Sequence, residues 1–240
     1  MFPAGGSGLR FASILRDDSI HKIVNSSLLS EHLEQEYGSR LTHTFEPTFP
    51  AIAPRNGRPS STRAQLFVYA RPNHARNLFE VTRGAVQRAL DVADEGSRFK
   101  LVHIVGSGER YWPGLRTPPR CEVLFHPRLT FASYVKILER SSAGLALQFA
   151  PHPGYPALEL AAAGAMAVTT SYGRKTSLER YSSRIHVVEP DALLLAERLV
   201  SLENSSSGGL SDGALLRRSW EEALRHVIDA LAGQVESSTR

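Results

Sequence analysis

Gly144-Leu145-Ala146-Leu147-Gln148-Phe149, then Ala150-Pro151-His152-Pro153-Gly154-Tyr155-Pro156-Ala157-Leu158-Glu159-Leu160-Ala161-Ala162-Ala163-Gly164, then Met166-Ala167-Val168-Thr169-Thr170, is the stretch that decides the fold. Residues 145–149 read as a buried strand and 166–170 as the next one. Between them, Pro156 opens a short helix expected to run to residue 163; proline suits that position because its missing N–H would be unpaired at a helix start anyway. A strand, a Pro/Gly-rich loop and a helix start together present backbone N–H groups to an anion. Glu159 is the one carboxylate on a helix of small apolar residues.

Outward from this unit the same alternation repeats. Strands are expected at 66–70, 100–105, 122–125 and 184–188. Helices are expected at 77–93, with Leu78, Val81, Thr82, Ala85, Ala89 and Val92 on one stripe, at 131–141, and at 192–202 capped by Asp191. The predicted class is α/β, a Rossmann-like parallel sheet with helices on both faces. Before it, 21–26 reads as a strand. A helix follows, capped by Ser27 or Ser30 and stopped by Gly38, and 41–63, with Pro47, Pro50, Pro54 and Pro59, reads as a connection. A Ser/Gly-rich loop at 205–213 leads to a last helix over 214–231, striped by Leu216, Trp220, Leu224 and Val227. The expected division is a first unit over 1–63 and a sheet domain over 64–235.

Composition sets the limits. With 240 residues, 42% of them hydrophobic, the chain can bury a sizeable core. Its net charge of +4 comes mostly from scattered arginines, so a solvated basic surface and a phosphate-bearing partner both fit. No basic face with interleaved aromatics marks a nucleic-acid binder. Cys121, expected to be a small buried residue, leaves no internal disulfide and suits a reducing compartment. No apolar run reaches the roughly 18 residues that span a bilayer, and residues 1–8 lack signal-peptide character, so the cytoplasm is expected. There is no HExxH, CxxC or GxSxG. Gly173-Arg174-Lys175-Thr176 lacks the glycine spacing of a phosphate loop, and the nine histidines are dispersed without metal-ligand spacing.

Parallel α/β sheets bind ligands beyond the carboxyl ends of their strands, where strand order reverses. Arg71 and Arg76 flank a helix start after the first sheet strand. Their planar forks suit phosphate; the alternative is that both are solvated loop residues, which their place at a strand's C-terminal end disfavours. Gly106-Ser107-Gly108 reads as a tight turn, since Tyr111 stands where a dinucleotide fingerprint has its third glycine. His126 follows the third sheet strand, either as a packed or solvated residue or beside a ligand. Glu159 either accepts hydrogen bonds from sugar hydroxyls or pairs with a nearby arginine.

Several ordered stretches resemble the donor-binding domain of GT-B glycosyltransferases. They are Val68-Tyr69-Ala70-Arg71-Pro72 with Arg76-Asn77-Leu78-Phe79-Glu80, Ile104-Val105-Gly106-Ser107-Gly108, Phe125-His126-Pro127, and Pro151-His152-Pro153-Gly154-Tyr155-Pro156 with Leu158-Glu159 and Gly164. The last run is similar to the bacterial rhamnosyltransferases that build surface glycans, a retaining branch. Residues 1–50 resemble the end of that branch's acceptor-binding domain, most of which is then absent. The chain departs from many retaining GT-B enzymes at Pro151, where they carry a glutamate eight positions before the second one.

The resemblance implies a glycosyltransferase, or its donor-binding part, moving a sugar such as rhamnose from a nucleotide-diphosphate donor such as dTDP-rhamnose to a glycan acceptor. The alternative is a non-catalytic nucleotide-sugar-binding or interaction module. Arg71 and Arg76 are implied to hold the diphosphate, Glu159 the ribose, and the backbone of Gly154, Tyr155, Pro156 and Ala157, with His152, the phosphates or sugar. His126 is implied to lie beside the base. No metal or cofactor is implied, and peripheral association with the inner face of the membrane is a further expectation.

Overall fold

The computed structural model describes residues 12–40, 42–52, 64–93, 99–202 and 213–238. The expectations for residues 1–8, for Pro54 and Pro59, and for most of the 205–213 loop lie outside these. Two compact units are present, one made of 1–50 with 215–240 and the other of 51–214.

In the first unit β1 (Lys22–Val24) leads into α1 (Ser27–Tyr37) and then β2 (Thr42–Thr44), which pairs parallel to β1. The N-cap of α1 is Ser26, one residue before Ser27, the nearer of the two expected positions; its side chain accepts a hydrogen bond from the Leu29 N–H at 3.2 Å, and Gly38 closes the helix as expected. The strand β2 falls within the stretch expected to be a plain connection. The C-terminal helix α6 (Trp220–Ser238) belongs to this unit and not to the sheet domain. The reason is hydrogen bonding: the Phe49 N–H donates to the Leu216 carbonyl at 2.6 Å, the Thr48 hydroxyl to the same oxygen at 3.1 Å, and the His226 ring to the Thr44 carbonyl at 2.5 Å. Among the residues of α6 up to 233, Ala223 and Val227 are buried, while Trp220 is exposed and meets Phe45 edge-on. The expected stripe is therefore displaced toward Ala223.

In the second unit the strands are β3 (Ala64–Tyr69), β4 (Phe99–Val105), β5 (Glu122–His126), β6 (Ala143–Ala146), β7 (Met166–Thr170) and β8 (Ile185–Val188). They form one parallel sheet, as the alternation predicts, in the order β5-β4-β3-β6-β7-β8. The chain builds outward from β3 to β5, then crosses to the other side of β3 and builds outward again from β6 to β8. The carboxyl ends of β3 and β6 are therefore the switch point.

Helices α2 (Phe79–Ala93) and α5 (Ala192–Leu202) cover one face. There Leu66, Val68, Val102, Ile104, Leu145 and Val168 pack against Ala85, Val86, Ala89, Leu90, Leu195 and Leu199. Each such leucine or valine, fully buried, contributes about 1.5–3 kcal/mol. Thr82 and Ala85 sit on the buried stripe of α2 as expected, but Val92 is exposed and Val86 and Leu90 take its place. The helix starts later than read, at Phe79, because a 3-10 turn (Ala75–Asn77) and a left-handed Leu78 come first. Asp191 caps α5 as expected, its carboxylate accepting the Leu193 and Leu194 N–H groups at 2.8 and 3.0 Å. On the other face α3 (Phe131–Arg140) packs on β3, and α4 (Tyr155–Ala162) on β6 and β7. Cys121 is half-buried rather than buried, and burial raises its thiol pKa.

Candidate functional site at the switch point

The strand before α4 ends at Ala146, earlier than the expected residue 149. Leu147, Gln148 and Phe149 leave the ladder and bond across the crevice instead. The Phe149 N–H donates to the Arg76 carbonyl at 2.7 Å, and the buried Asn77 side-chain amide donates to the Leu147 carbonyl at 3.2 Å. The Gln148 N–H donates to the Thr170 hydroxyl at 3.2 Å. The loops after β3, β6 and β7 are thus stitched into one rim, with every buried polar group of the stitch paired.

Both arginines stand on the β3 side of this rim. The Arg71 guanidinium donates to the Tyr69 hydroxyl at 3.5 Å, and Arg76 is exposed on the 3-10 turn. Slight burial lowers the pKa of His74 between them, and the charges of Arg71 and Arg76 lower it further, so both guanidiniums act on the same imidazole. Among the described residues neither arginine meets a carboxylate, unlike Arg83 and Arg116, which pair with Glu80 and Asp91. Beneath Arg71 lies Gly106, at φ +91°, where a Cβ would come within 2.8 Å of the arginine Cγ and 3.1 Å of the Ala70 carbonyl. The turn after β4 is glycine because the backbone needs this conformation and the space belongs to Arg71.

Glu159 stands on α4, the helix opened by the loop after β6. Its Oε2 accepts the Tyr134 hydroxyl at 2.5 Å, and Tyr134, from α3, sets its ring edge-on to Phe67 with centroids 5.8 Å apart. Burial raises the Glu159 pKa, partly opposed by that hydrogen bond. Burial first, then the Glu159 carboxylate, push the Tyr134 phenol far up, with Tyr69 adding to the effect. A series of neighbouring groups therefore runs from Arg71 through Tyr69 and Tyr134 to Glu159. Sequence reading missed Tyr69 and Tyr134 here. For Tyr134 a signal existed, since it stands four residues before the fully buried Leu138 on one helical stripe.

The remaining candidates fall on both sides. His152 accepts the Gly154 N–H at its Nδ1, 2.9 Å away, and its ring meets Tyr155 edge-on at 5.1 Å. Gly154, at φ +90°, caps α4; Pro156 stands in the first turn and Ala157 is fully buried, while the Tyr155 side chain is exposed. The ring of His126 stacks on His103, with 3.0 Å between Nε2 and Nδ1. Burial lowers both imidazoles, His103 to about 4 with help from His126 and Arg140, so burial favours the neutral form of each ring. Through its carbonyl, which accepts the Gly106 N–H at 2.9 Å, His126 adjoins the turn under Arg71.

Among the described residues no helix is long and apolar enough to cross a membrane. No curated protein matches the chain. Solved structures share its fold. Sucrose-phosphate synthase from Thermosynechococcus elongatus superposes with a TM-score of 0.62 at 14% identity, covering 98% of this chain and 63% of that one. WaaG, a glycosyltransferase involved in lipopolysaccharide biosynthesis, gives 0.61 at 14% identity over 94% of this chain and 64% of its own. A TarM variant from S. aureus, in complex with fondaparinux, alpha-GlcNAc-glycerol and UDP, gives 0.61 at 13% identity over 94% and 44%. The chain thus spans less than two thirds of the length of these proteins, and the six-stranded sheet with its helices matches the GT-B fold. The model of the WsaF C-terminal domain family matches residues 64–200, more than half of the sequence, and the chain belongs to that family.

Proposed function

We propose that this chain binds the nucleotide-diphosphate part of a sugar donor at the switch point and serves glycosyl transfer to a glycan acceptor, with rhamnose from a dTDP donor as the finer reading. The observation that carries it is the pairing of two guanidiniums without carboxylate partners on the β3 side of the rim with the start of α4 on the β6 side. When a sugar–diphosphate bond breaks, its electrons stay on the diphosphate. Fixed cations and N–H dipoles stabilise that charge more in the transition state than before it. In this reading Arg71 and Arg76 hold the diphosphate, Glu159 holds the ribose, and the backbone from Gly154 to Ala157, with His152, meets the phosphates or the sugar.

A second reading, binding without transfer, is favoured by Pro151 standing where many retaining relatives carry a carboxylate. Calorimetry with dTDP and UDP tests the shared part. The wild-type chain binds at least one of them, and Arg71→Ala weakens binding roughly 10- to 100-fold, about 1.5–3 kcal/mol for charge-assisted bonds. A folded chain that binds neither nucleotide refutes both readings. Donor hydrolysis or transfer, followed by release of the nucleotide, separates the first from the second.

A further inference from the structure

Lys175 is 1% exposed, and its partners are backbone carbonyls: Gln148, in a short hydrogen bond, and His152, at 3.3 Å. An ammonium has three N–H donors. Two are used here, and the third has no acceptor among the described residues. Buried cations are normally paired with carboxylates, because removing a charge from water costs several kcal/mol. This one has no carboxylate partner among the described residues. It rises from the tight turn after β7, where the Tyr172 carbonyl accepts the Lys175 N–H at 2.9 Å. The two oxygens it grips bracket the irregular loop that delivers Gly154 and the start of α4.

We propose that Lys175 is a positioning residue of the donor site: its ammonium ties the Gln148 and His152 carbonyls together, fixes the loop that aims the N–H groups at the start of α4, and adds a buried positive charge that a bound diphosphate neutralises. This rests on the nucleotide-donor reading above. It goes beyond it by giving a mechanical and an electrostatic role to a residue outside the ligand-contacting set. Burial lowers the Lys175 pKa from 10.5 to about 7. An anion bound across the loop therefore draws a proton onto the amine as it binds. Burial is the sole cause of that shift, with no neighbouring charge among the described residues contributing; the titratable or charged groups beside it are Tyr172 and Arg174 on its own turn and His152 on the loop it grips.

The test uses the full chain with its lysines 13C-labelled. The sequence has four lysines, Lys22, Lys100, Lys136 and Lys175, so the Lys175 Cε signal is assigned by its absence in Lys175→Met. In the ligand-free wild type this signal titrates near pH 7, and saturating dTDP or UDP moves its midpoint up by at least one pH unit. NMR follows the amine itself, so ionisation of the nucleotide phosphate does not intrude. Lys175→Met binds the nucleotide at least tenfold more weakly and exchanges its Ala150 and Gly154 amide hydrogens faster than wild type. Should the variant fail to fold, the wild-type titration decides alone. Wild type that binds nucleotide with an unmoved Lys175 midpoint, or a folded Lys175→Met that binds as tightly as wild type, overturns this proposal and leaves the donor reading standing. Wild type that binds neither nucleotide overturns both.

Discussion

Replacing Tyr134 with phenylalanine removes one hydroxyl and leaves the ring against Phe67, so the change isolates the hydrogen bond to Glu159. A hydrogen bond to an ionised group contributes about 1.5–3 kcal/mol, and one between neutral groups about 0.5–1.5 kcal/mol. Burial already holds the folded pKa of Glu159 above its ordinary 4.5, and Tyr134 is the group that restrains that rise. Between pH 4.5 and the folded value, the folded chain binds more protons at this site than the unfolded chain does. Stability from this group is therefore greatest at low pH and falls as pH rises through that window. Tyr134→Phe lets the folded pKa climb further, so its cost grows with pH. The expected loss is about 1.5–3 kcal/mol at pH 8, shrinking toward about 0.5–1.5 kcal/mol as the pH falls through the folded pKa and Glu159 takes up its proton.

The assay is urea unfolding followed by tryptophan fluorescence. The two tryptophans, Trp112 and Trp220, fall in different units, so a Trp220→Phe background lets the buried Trp112 report on the sheet domain. Titrations of His103, His126 and Lys175 are common to both proteins and cancel in the difference. The pH 8 loss corresponds to a melting shift of about 2–4 °C per kcal/mol for a unit of this size. A loss below about 0.5 kcal/mol at pH 8, or one that stays constant as the pH is lowered from 8 toward 4.5, refutes the account of Glu159 as a buried carboxylate held by one phenol.

Two other substitutions probe the rim. Gly106→Ala places a Cβ 2.8 Å from the Arg71 Cγ at a φ of +91°. It is expected to cost about 1–3 kcal/mol and to weaken nucleotide binding as the arginine is pushed aside, read by thermal unfolding and calorimetry; unchanged affinity separates Arg71 from the ligand. Asn77→Ala leaves the Leu147 carbonyl without its donor and is expected to cost about 1–3 kcal/mol, with faster hydrogen exchange at Phe149; equal exchange rates refute the stitch between the two loops.

The sheet was legible because its strands are short apolar runs bounded by turn residues. Met166–Thr170 is read to the residue, and Asp191 announces α5. Reading failed where tertiary contacts outrank local pattern. Ala143 carries no strand signal, yet it is in the ladder beside Gly144, which is glycine because a Cβ would strike Leu160 at 2.4 Å. Leu147 to Phe149 look like strand and are loop, because their backbone partners come from Asn77, Arg76 and Thr170. Arg71, Arg76 and Glu159 were visible as loop and helix-start residues beyond the strands. Tyr69 and Lys175 were not, since nothing in a one-dimensional pattern marks a phenol or an amine whose importance lies in what a distant segment brings to it; for Tyr134 the pattern showed only the helical stripe it shares with Leu138, and not the carboxylate it meets.

The stitching of the three crevice loops has a thermodynamic consequence. Binding segments that are slack beforehand lose chain entropy when they close, at roughly 1–2 kcal/mol for each residue whose backbone becomes fixed. Here that loss is taken during folding, because Arg76, Asn77, Thr170 and Lys175 already hold the neighbouring strand ends. A visitor to this crevice meets walls already in shape, and its affinity is set by charge and fit rather than by the expense of ordering its host.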